Sequence, residues 1–199
     1  MRNAVLGNLL VIGVLTGLFL GAPLPGVAQI QSREPEIYVP YVSTDEKIVA
    51  AMLKLADVKE GETVYDLGCG DGRIVITAVK EFKAKKGLGI DINQERLRDC
   101  EERMKAEKLT DDQSKRLSFQ HGDVLKLTPE DFKDVDVVTL YLLPMVNLRL
   151  KPILLKGLKP GARIVSHDYD MGDWLPEKSE QIILKGTHKL YLWTIPAKK

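Results

Sequence analysis

Apolar residues along this chain switch repeatedly between a helical and a strand period. Ile48, Val49, Met52, Leu53 and Ala56 share one face of a helix, and Ser43 with Glu46 three residues later reads as the capping box that opens it. Gly61 breaks the pattern, and Thr63–Leu67 is a β-prone run bounded by glycines. Ile74, Val75, Ala78, Val79 and Phe82 return to helical spacing, and Leu88–Ile92 is the next strand. Leu97, Cys100, Met104 and Leu109 mark another helical stripe, and Leu117–His121 alternates as a strand. Thr128–Pro129 has the form of an N-cap followed by proline at the first helical position, so a helix is expected there. Val135–Tyr141, the most β-branched run, predicts a strand buried on both faces. Val146, Leu150, Ile153, Leu154 and Leu158 predict a helix, with Pro152 as a kink point and Gly161 as its end. Arg163–Ser166 is a strand, and Gln181–Leu184 with Lys189–Thr194 flank a Gly186-Thr187 turn as a hairpin.

Strands alternating with helices imply an α/β domain: a mostly parallel sheet, helices on both faces, and a closing antiparallel hairpin. No internal repeat or low-complexity tract interrupts it, and no domain boundary follows residue 40. Ahead of it, residues 4–22 are apolar apart from Asn8, Thr16 and glycines. Arg2 precedes this run and Gly26-Val27-Ala28 follows it, the arrangement of a secretory signal peptide cut after Ala28. The run is also close to the roughly 20 residues that span a bilayer, so an uncleaved membrane anchor is the rival reading. The organisation expected is therefore a signal peptide or membrane anchor over 1–28, a polar linker over 29–40, and one domain over 41–199.

Composition narrows the function classes. The 199 residues are 44% hydrophobic and 29% charged, an ordinary globular balance. Lys plus Arg is 29 against 28 for Asp plus Glu, a net charge of +1, so no nucleic-acid partner is expected. The two cysteines, Cys69 and Cys100, and the scattered His121, His167 and His188 have no metal-ligand spacing, so no metal is expected.

The informative segment joins the first parallel strand to its helix: Asp66-Leu67-Gly68-Cys69-Gly70-Asp71-Gly72-Arg73. Its glycines permit positive φ and close approach of a ligand to the backbone. This is the switch point of an open parallel sheet, where ligands bind. Gly68, Gly70 and Gly72 do not have the Gly-x-Gly-x-x-Gly spacing of dinucleotide binding, which disfavours a nicotinamide oxidoreductase. Asp66 repels phosphates and suits a ligand with a cationic arm. Asp91 ends the second strand, where a carboxylate accepts from ribose hydroxyls. Asp123 ends the third, where it can accept from an adenine amine. Three aspartates at the ends of three neighbouring strands outline a site for an adenosine bearing a positive charge.

On these motifs the region from Pro40 to Trp174 resembles a class I, seven-β-strand, S-adenosylmethionine-dependent methyltransferase. The resemblance implies a Rossmann-like, mostly parallel seven-stranded sheet. It places Asp66 and Gly68 by the methionine part of the cofactor, with Gly70 and Gly72 in the same loop. Asp91, with Ile92 beside it, falls at the ribose, and Asp123 with Val124 at the adenine. Pro40-Tyr41-Val42-Ser43-Thr44, the glycine loop, and Arg163-Ile164-Val165-Ser166 resemble more narrowly the lysine methyltransferases of the ATP synthase c-subunit and the adenine nucleotide translocase. Ser43 departs from that group, which has a second proline there.

The resemblance implies a protein-lysine N-methyltransferase associated with a membrane through its N-terminal segment. The alternatives are a methyltransferase of small molecules and a non-catalytic S-adenosylmethionine-binding module at a membrane. Tyr41 and Thr44 read either as cofactor-pocket lining or as packing and capping. Tyr141 reads as a group that orients an incoming amine or as core. His167 and Asp168 read as proton acceptors or as a loop pair. Arg2 with no further Lys or Arg before Arg33 puts the domain outside the membrane, whereas the donor is made in the cytosol, so the side it faces stays open.

Overall fold

The computed structural model describes residues 41–197; the expected anchor or signal peptide and the linker lie outside the described residues. Among the described residues no helix is long and apolar enough to cross a membrane. The chain runs α1 (Glu46–Leu55), β1 (Thr63–Leu67), α2 (Arg73–Glu81), β2 (Lys86–Asp91), α3 (Gln94–Ala106), α4 (Asp111–Lys115), β3 (Leu117–His121), β4 (Val137–Leu140), α5 (Pro144–Gly157), β5 (Arg163–His167), β6 (Lys178–Ile183) and β7 (Thr187–Thr194). The sheet order is β3-β2-β1-β4-β5-β7-β6. The first five strands are parallel, and β7 lies antiparallel between β5 and β6. The order therefore reverses between β1 and β4, which opens a crevice at their C-terminal ends.

Two cores cover the two faces. On one, Ile48, Val49, Met52 and Leu53 of α1 and Val75, Ile76 and Val79 of α2 pack with Val64, Val137 and Val165 of the sheet. On the other, Val146, Leu150 and Leu154 of α5 pack with Phe132, Val138, Leu140, Ile164 and Trp193. Strand alternation accounts for the division: Val137 and Val138 are neighbours in β4 and serve opposite cores.

Several local expectations are corrected. The N-cap of α1 is Asp45, whose side chain accepts from the Lys47 N–H, and not Ser43. Thr44 is held out of the helix because its carbonyl accepts from Arg73 at 2.5 Å and its hydroxyl meets His167. Thr128–Pro129 opens only a 3-10 turn, Pro129–Phe132, which drops Phe132 into the core just ahead of β4. The link from β3 to β4 thus carries no α-helix. Pro152 lies inside α5 without ending it, and the helix stops at Gly157, before Gly161. The hairpin strand β6 begins at Lys178, three residues ahead of the expected start, because an exposed edge strand shows no apolar pattern. Unexpected α4 has a capping box of its own, Thr110 with Gln113.

Gly157 sits where the end of α5 meets the 3-10 turn: a Cβ there would stand 2.4 Å from the Pro129 carbonyl oxygen. The obstacle is backbone, which yields less than a side chain. Gly157→Ala is expected to lower stability by about 1–3 kcal/mol, read as a lower midpoint in urea unfolding with an unchanged m value.

Candidate active site

The register of β1 on β4 pairs Asp66 with Thr139 on one face of the sheet. Thr139 is the single polar residue of buried β4, and its hydroxyl donates to Asp66 Oδ1 at 2.6 Å. Asp66 is 2% exposed, and its Oδ2 is buried without a hydrogen-bond partner among the described residues. Burial pushes its carboxyl up to about 7; the Thr139 hydrogen bond works the other way, and the Asp91 and Asp71 charges reinforce the rise. A buried carboxylate with one unused oxygen fits a cation, which would supply both the missing partner and the missing charge.

Beyond Asp66 the chain turns through Gly68, Gly70 and Gly72, all at positive φ (80, 55 and 75°). The positive φ is the one expected of these glycines. Side chains of the protein itself also press on the loop: Cβ atoms at these positions would stand 2.5 Å from Leu142, 2.4 Å from Tyr41 and 2.5 Å from Phe119. Backbone bonds hold the turn, with Gly68 N–H and Cys69 N–H both donating to the Ile90 carbonyl. Asp91, at the end of β2, accepts from Gly70 N–H at 2.9 Å and from Asn93 N–H at 2.8 Å, one bond on each oxygen. Each oxygen keeps a second acceptor position.

The remaining cofactor candidates surround this frame. Tyr41 lies over Gly70, and the Arg96 guanidinium sits 4.6 Å from its ring centre. Burial, then the Asp71 charge, raises the Tyr41 hydroxyl above its usual value. Thr44 is buried behind the loop and ties α1 to Arg73. Ile92 is exposed at the end of β2, and its carbonyl bonds His121 at 2.9 Å. Gly122 N–H donates to the Asp91 carbonyl at 2.9 Å, which brings the chain of Asp123 and Val124 alongside. Asp123 caps a 3-10 turn through Leu125 N–H, and Val124 is half-buried against the second core. All three strand-end aspartates thus stand on one edge of the sheet.

A group missed in the sequence braces the loop. Asp71 pairs with Arg73 at 2.5 Å and with Arg103 of α3 at 3.0 Å. Burial works to raise the Asp71 carboxyl, but Arg73 and Arg103 outweigh it and hold it below the usual range. The alternation of Asp71 and Arg73 about Gly72 was the available signal; the Arg103 contact spans 32 residues and left none.

A second cluster forms at the ends of β4 and β5. The Tyr141 hydroxyl donates to Asp168 Oδ2 at 3.4 Å, and its ring lies 4.0 Å from the His167 ring. Burial and the Asp168 charge push the Tyr141 hydroxyl up to about 12. Tyr169 stacks beside it with ring centres 6.2 Å apart. His167 is 1% exposed, and burial pushes its imidazole down to about 4 against the pull of Asp168. It is therefore neutral at pH 7, with Thr44, His188, Asp168 and Tyr141 around its ring. Behind the cluster, Asn147 of α5 donates to Ser166 Oγ and to the Tyr169 and Asp170 carbonyls, fixing the loop that presents Asp168 and Tyr169. Nothing in the sequence pattern distinguished Asn147 from a surface residue.

Residues 66–178 match the family described as the ANTKMT methyltransferase domain. A protein-lysine N-methyltransferase of Saccharolobus islandicus (strain REY15A) is 42% identical over 159 residues, 79% of this chain and 94% of the relative. An adenine nucleotide translocase lysine N-methyltransferase of Mus musculus is 28% identical over 171 residues, 86% of this chain and 68% of the relative. The crystal structure of an RNA methyltransferase from Salinibacter ruber in complex with S-adenosyl-L-homocysteine superposes with a TM-score of 0.69 at 41% identity, covering 79% of this chain and 96% of that one.

Proposed function

We propose that this chain, which belongs to the ANTKMT methyltransferase family and is an S-adenosylmethionine-dependent methyltransferase, passes the methyl group to the side-chain amine of a lysine in a protein. The observation that carries the lysine reading is the Tyr141–Asp168 pair with Tyr169 at the ends of β4 and β5: a carboxylate and two aromatic rings, the acceptor and faces that suit an ammonium. The Saccharolobus islandicus relative, named for lysine methylation and similar over nearly its whole length, supports it.

S-adenosylmethionine supplies a methyl group on a sulfonium, so the leaving group needs no further activation. The residues of this chain then have two tasks. The first is to hold the cofactor: Asp66 toward its cationic arm, Asp91 with Ile92 at the ribose, Asp123 with Val124 at the adenine, and the loop of Gly68, Gly70 and Gly72 beneath Tyr41. The second is to present a neutral amine, since lysine with a reference pKa near 10.4 is almost wholly charged at pH 7. Asp168, part-exposed, attracts the ammonium and takes its proton toward solvent. The Tyr141 oxygen accepts from a remaining N–H and aims the lone pair, while the buried His167 ring supports Tyr141 from behind.

Tyr141→Phe is therefore expected to lower kcat by roughly 10- to 100-fold, with the affinity for S-adenosylhomocysteine unchanged in titration calorimetry. The acceptor is tested by incubating purified protein with methyl-labelled donor and cell fractions. Label on lysine in a protein band supports the reading; label found only in RNA or in small molecules overturns it.

The apolar run over residues 4–22 supports work at a membrane, through an anchor or by export after Ala28. N-terminal sequencing separates the two. An intact start in protein that pellets with membranes is the anchored form, and a start at Gln29 is the exported one. Protease accessibility then reports the side the domain faces.

A further inference from the structure

We propose that His167, His188 and Asp168 form a binding site for a divalent transition-metal ion of the zinc type at the β5–β7 junction. The antiparallel register pairs His167 with Leu190, so His188, two residues back along β7, projects from the same face as a diagonal neighbour. Asp168 follows β5 with φ of 60°, a left-handed turn that brings its carboxylate back across the two rings. Three donor atoms meet there. His167 Nε2 lies 2.9 Å from His188 Nδ1 and 3.3 Å from Asp168 Oδ2, and His188 Nδ1 lies 4.0 Å from the same oxygen. A tetrahedral ion with bonds of about 2.0–2.1 Å needs donors about 3.3 Å apart. One edge already fits, and the other two need shifts well under 1 Å.

The far side of each ligand is already tied, as metal-ligating groups require. His188 Nε2 donates to the Leu184 carbonyl at 3.1 Å, which leaves Nδ1 as the lone pair of the neutral ring. Asp168 Oδ1 accepts from Lys189 N–H at 2.9 Å, and Oδ2, which also accepts the Tyr141 hydroxyl at 3.4 Å, faces the imidazoles; an ion there and a lysine ammonium at Asp168 are alternative occupants. His167 Nδ1 lies 3.4 Å from the Thr44 hydroxyl. In the metal-free chain the His167 proton sits on Nε2, shared with His188. An ion replaces it there, and the proton moves to His167 Nδ1, where Thr44 Oγ1 accepts it. Two imidazoles and one carboxylate leave a fourth position open, a set that selects zinc or cobalt over magnesium or calcium.

The site is judged by binding alone, so it stands or falls separately from the identity of the methyl acceptor. Tag-free full-length protein is stripped with chelator and titrated with Co2+, then with Zn2+ against a chromophoric chelator. One Co2+ per chain with visible tetrahedral absorption bands, displaced by Zn2+, is expected. His188→Ala is expected to weaken Zn2+ binding at least about 100-fold and to abolish the rise in Tm that Zn2+ gives the parent chain. Unchanged S-adenosylhomocysteine affinity shows that this variant is folded, and His188→Gln serves in its place if it is not. Absence of a stoichiometric Co2+ spectrum in the parent chain, or equal Zn2+ affinity in the folded variant, overturns the proposal.

Discussion

Asp91→Ala is expected to weaken S-adenosylhomocysteine binding by roughly 10²- to 10⁴-fold. The Asp91 carboxylate spends one acceptor position of each oxygen on the protein, through Gly70 N–H and Asn93 N–H. The second position on each is what two ribose hydroxyls would use. Hydrogen bonds to a charged group contribute about 1.5–3 kcal/mol each, and every 1.4 kcal/mol is about tenfold in affinity. Truncation also releases the Gly70 N–H, so the loop loses one of the contacts that join it to β2. Both effects weaken binding. Asp91→Asn keeps one acceptor oxygen and should fall between the two. Titration calorimetry on folded protein decides the matter, and an affinity within about threefold of the parent would remove Asp91 from the cofactor site.

The second large effect concerns Asp66 and has a defined sign. Its carboxyl is raised from 3.8 to about 7 in the folded chain by burial. Below pH 4 both the folded and the unfolded chain hold the proton, and Asp66 costs nothing. Between about pH 4 and 7 the unfolded chain releases it while the folded chain retains it, so stability falls as pH rises. Above 7 the whole cost is present: a gap of about three pH units corresponds to about 4 kcal/mol. Asp66→Asn should therefore stabilise the ligand-free protein at pH 8, by on the order of 10 °C in Tm, and flatten this part of the pH profile.

A cationic ligand arm beside Asp66 draws the carboxyl back to its ionised form. Binding of S-adenosylmethionine at pH 6 is thus expected to release a proton, and its affinity to fall by about tenfold per pH unit below 7. Calorimetry in two buffers of different ionisation enthalpy measures that release. The same release from Asp66→Asn would assign the proton elsewhere and break the proposed contact.

The parts of this site differ in how far they could be read ahead of the fold. The boundaries of β1 and β3 fall where the apolar pattern put them, because both strands alternate or are bounded by glycines. The spacing of Asp66, Asp91 and Asp123 was legible because each aspartate lies at or within two residues of a strand end, and strand ends are local features. The glycine loop was legible by position and by its positive φ, but not the side chains that crowd it, since Leu142, Tyr41 and Phe119 come to it from three separate segments. Thr139 lay unmarked within a β-branched run, and its partner followed only from the parallel register of β1 on β4.

By itself, then, the sequence determined the order of the strands, the polarity of each face and the carboxylates near the strand ends. These depend on residue period and on turn chemistry within a few positions along the chain. The tertiary structure alone decided which groups share an electric field. Asp66 loses solvent beside Thr139, Asp71 gains Arg103 from α3, and His167 meets His188 across an antiparallel register. Such pairings span tens of residues, and those between strands exist only once sheet order and register are set, because a slip of one residue would turn Asp66, Thr139, His167 or His188 to the opposite face.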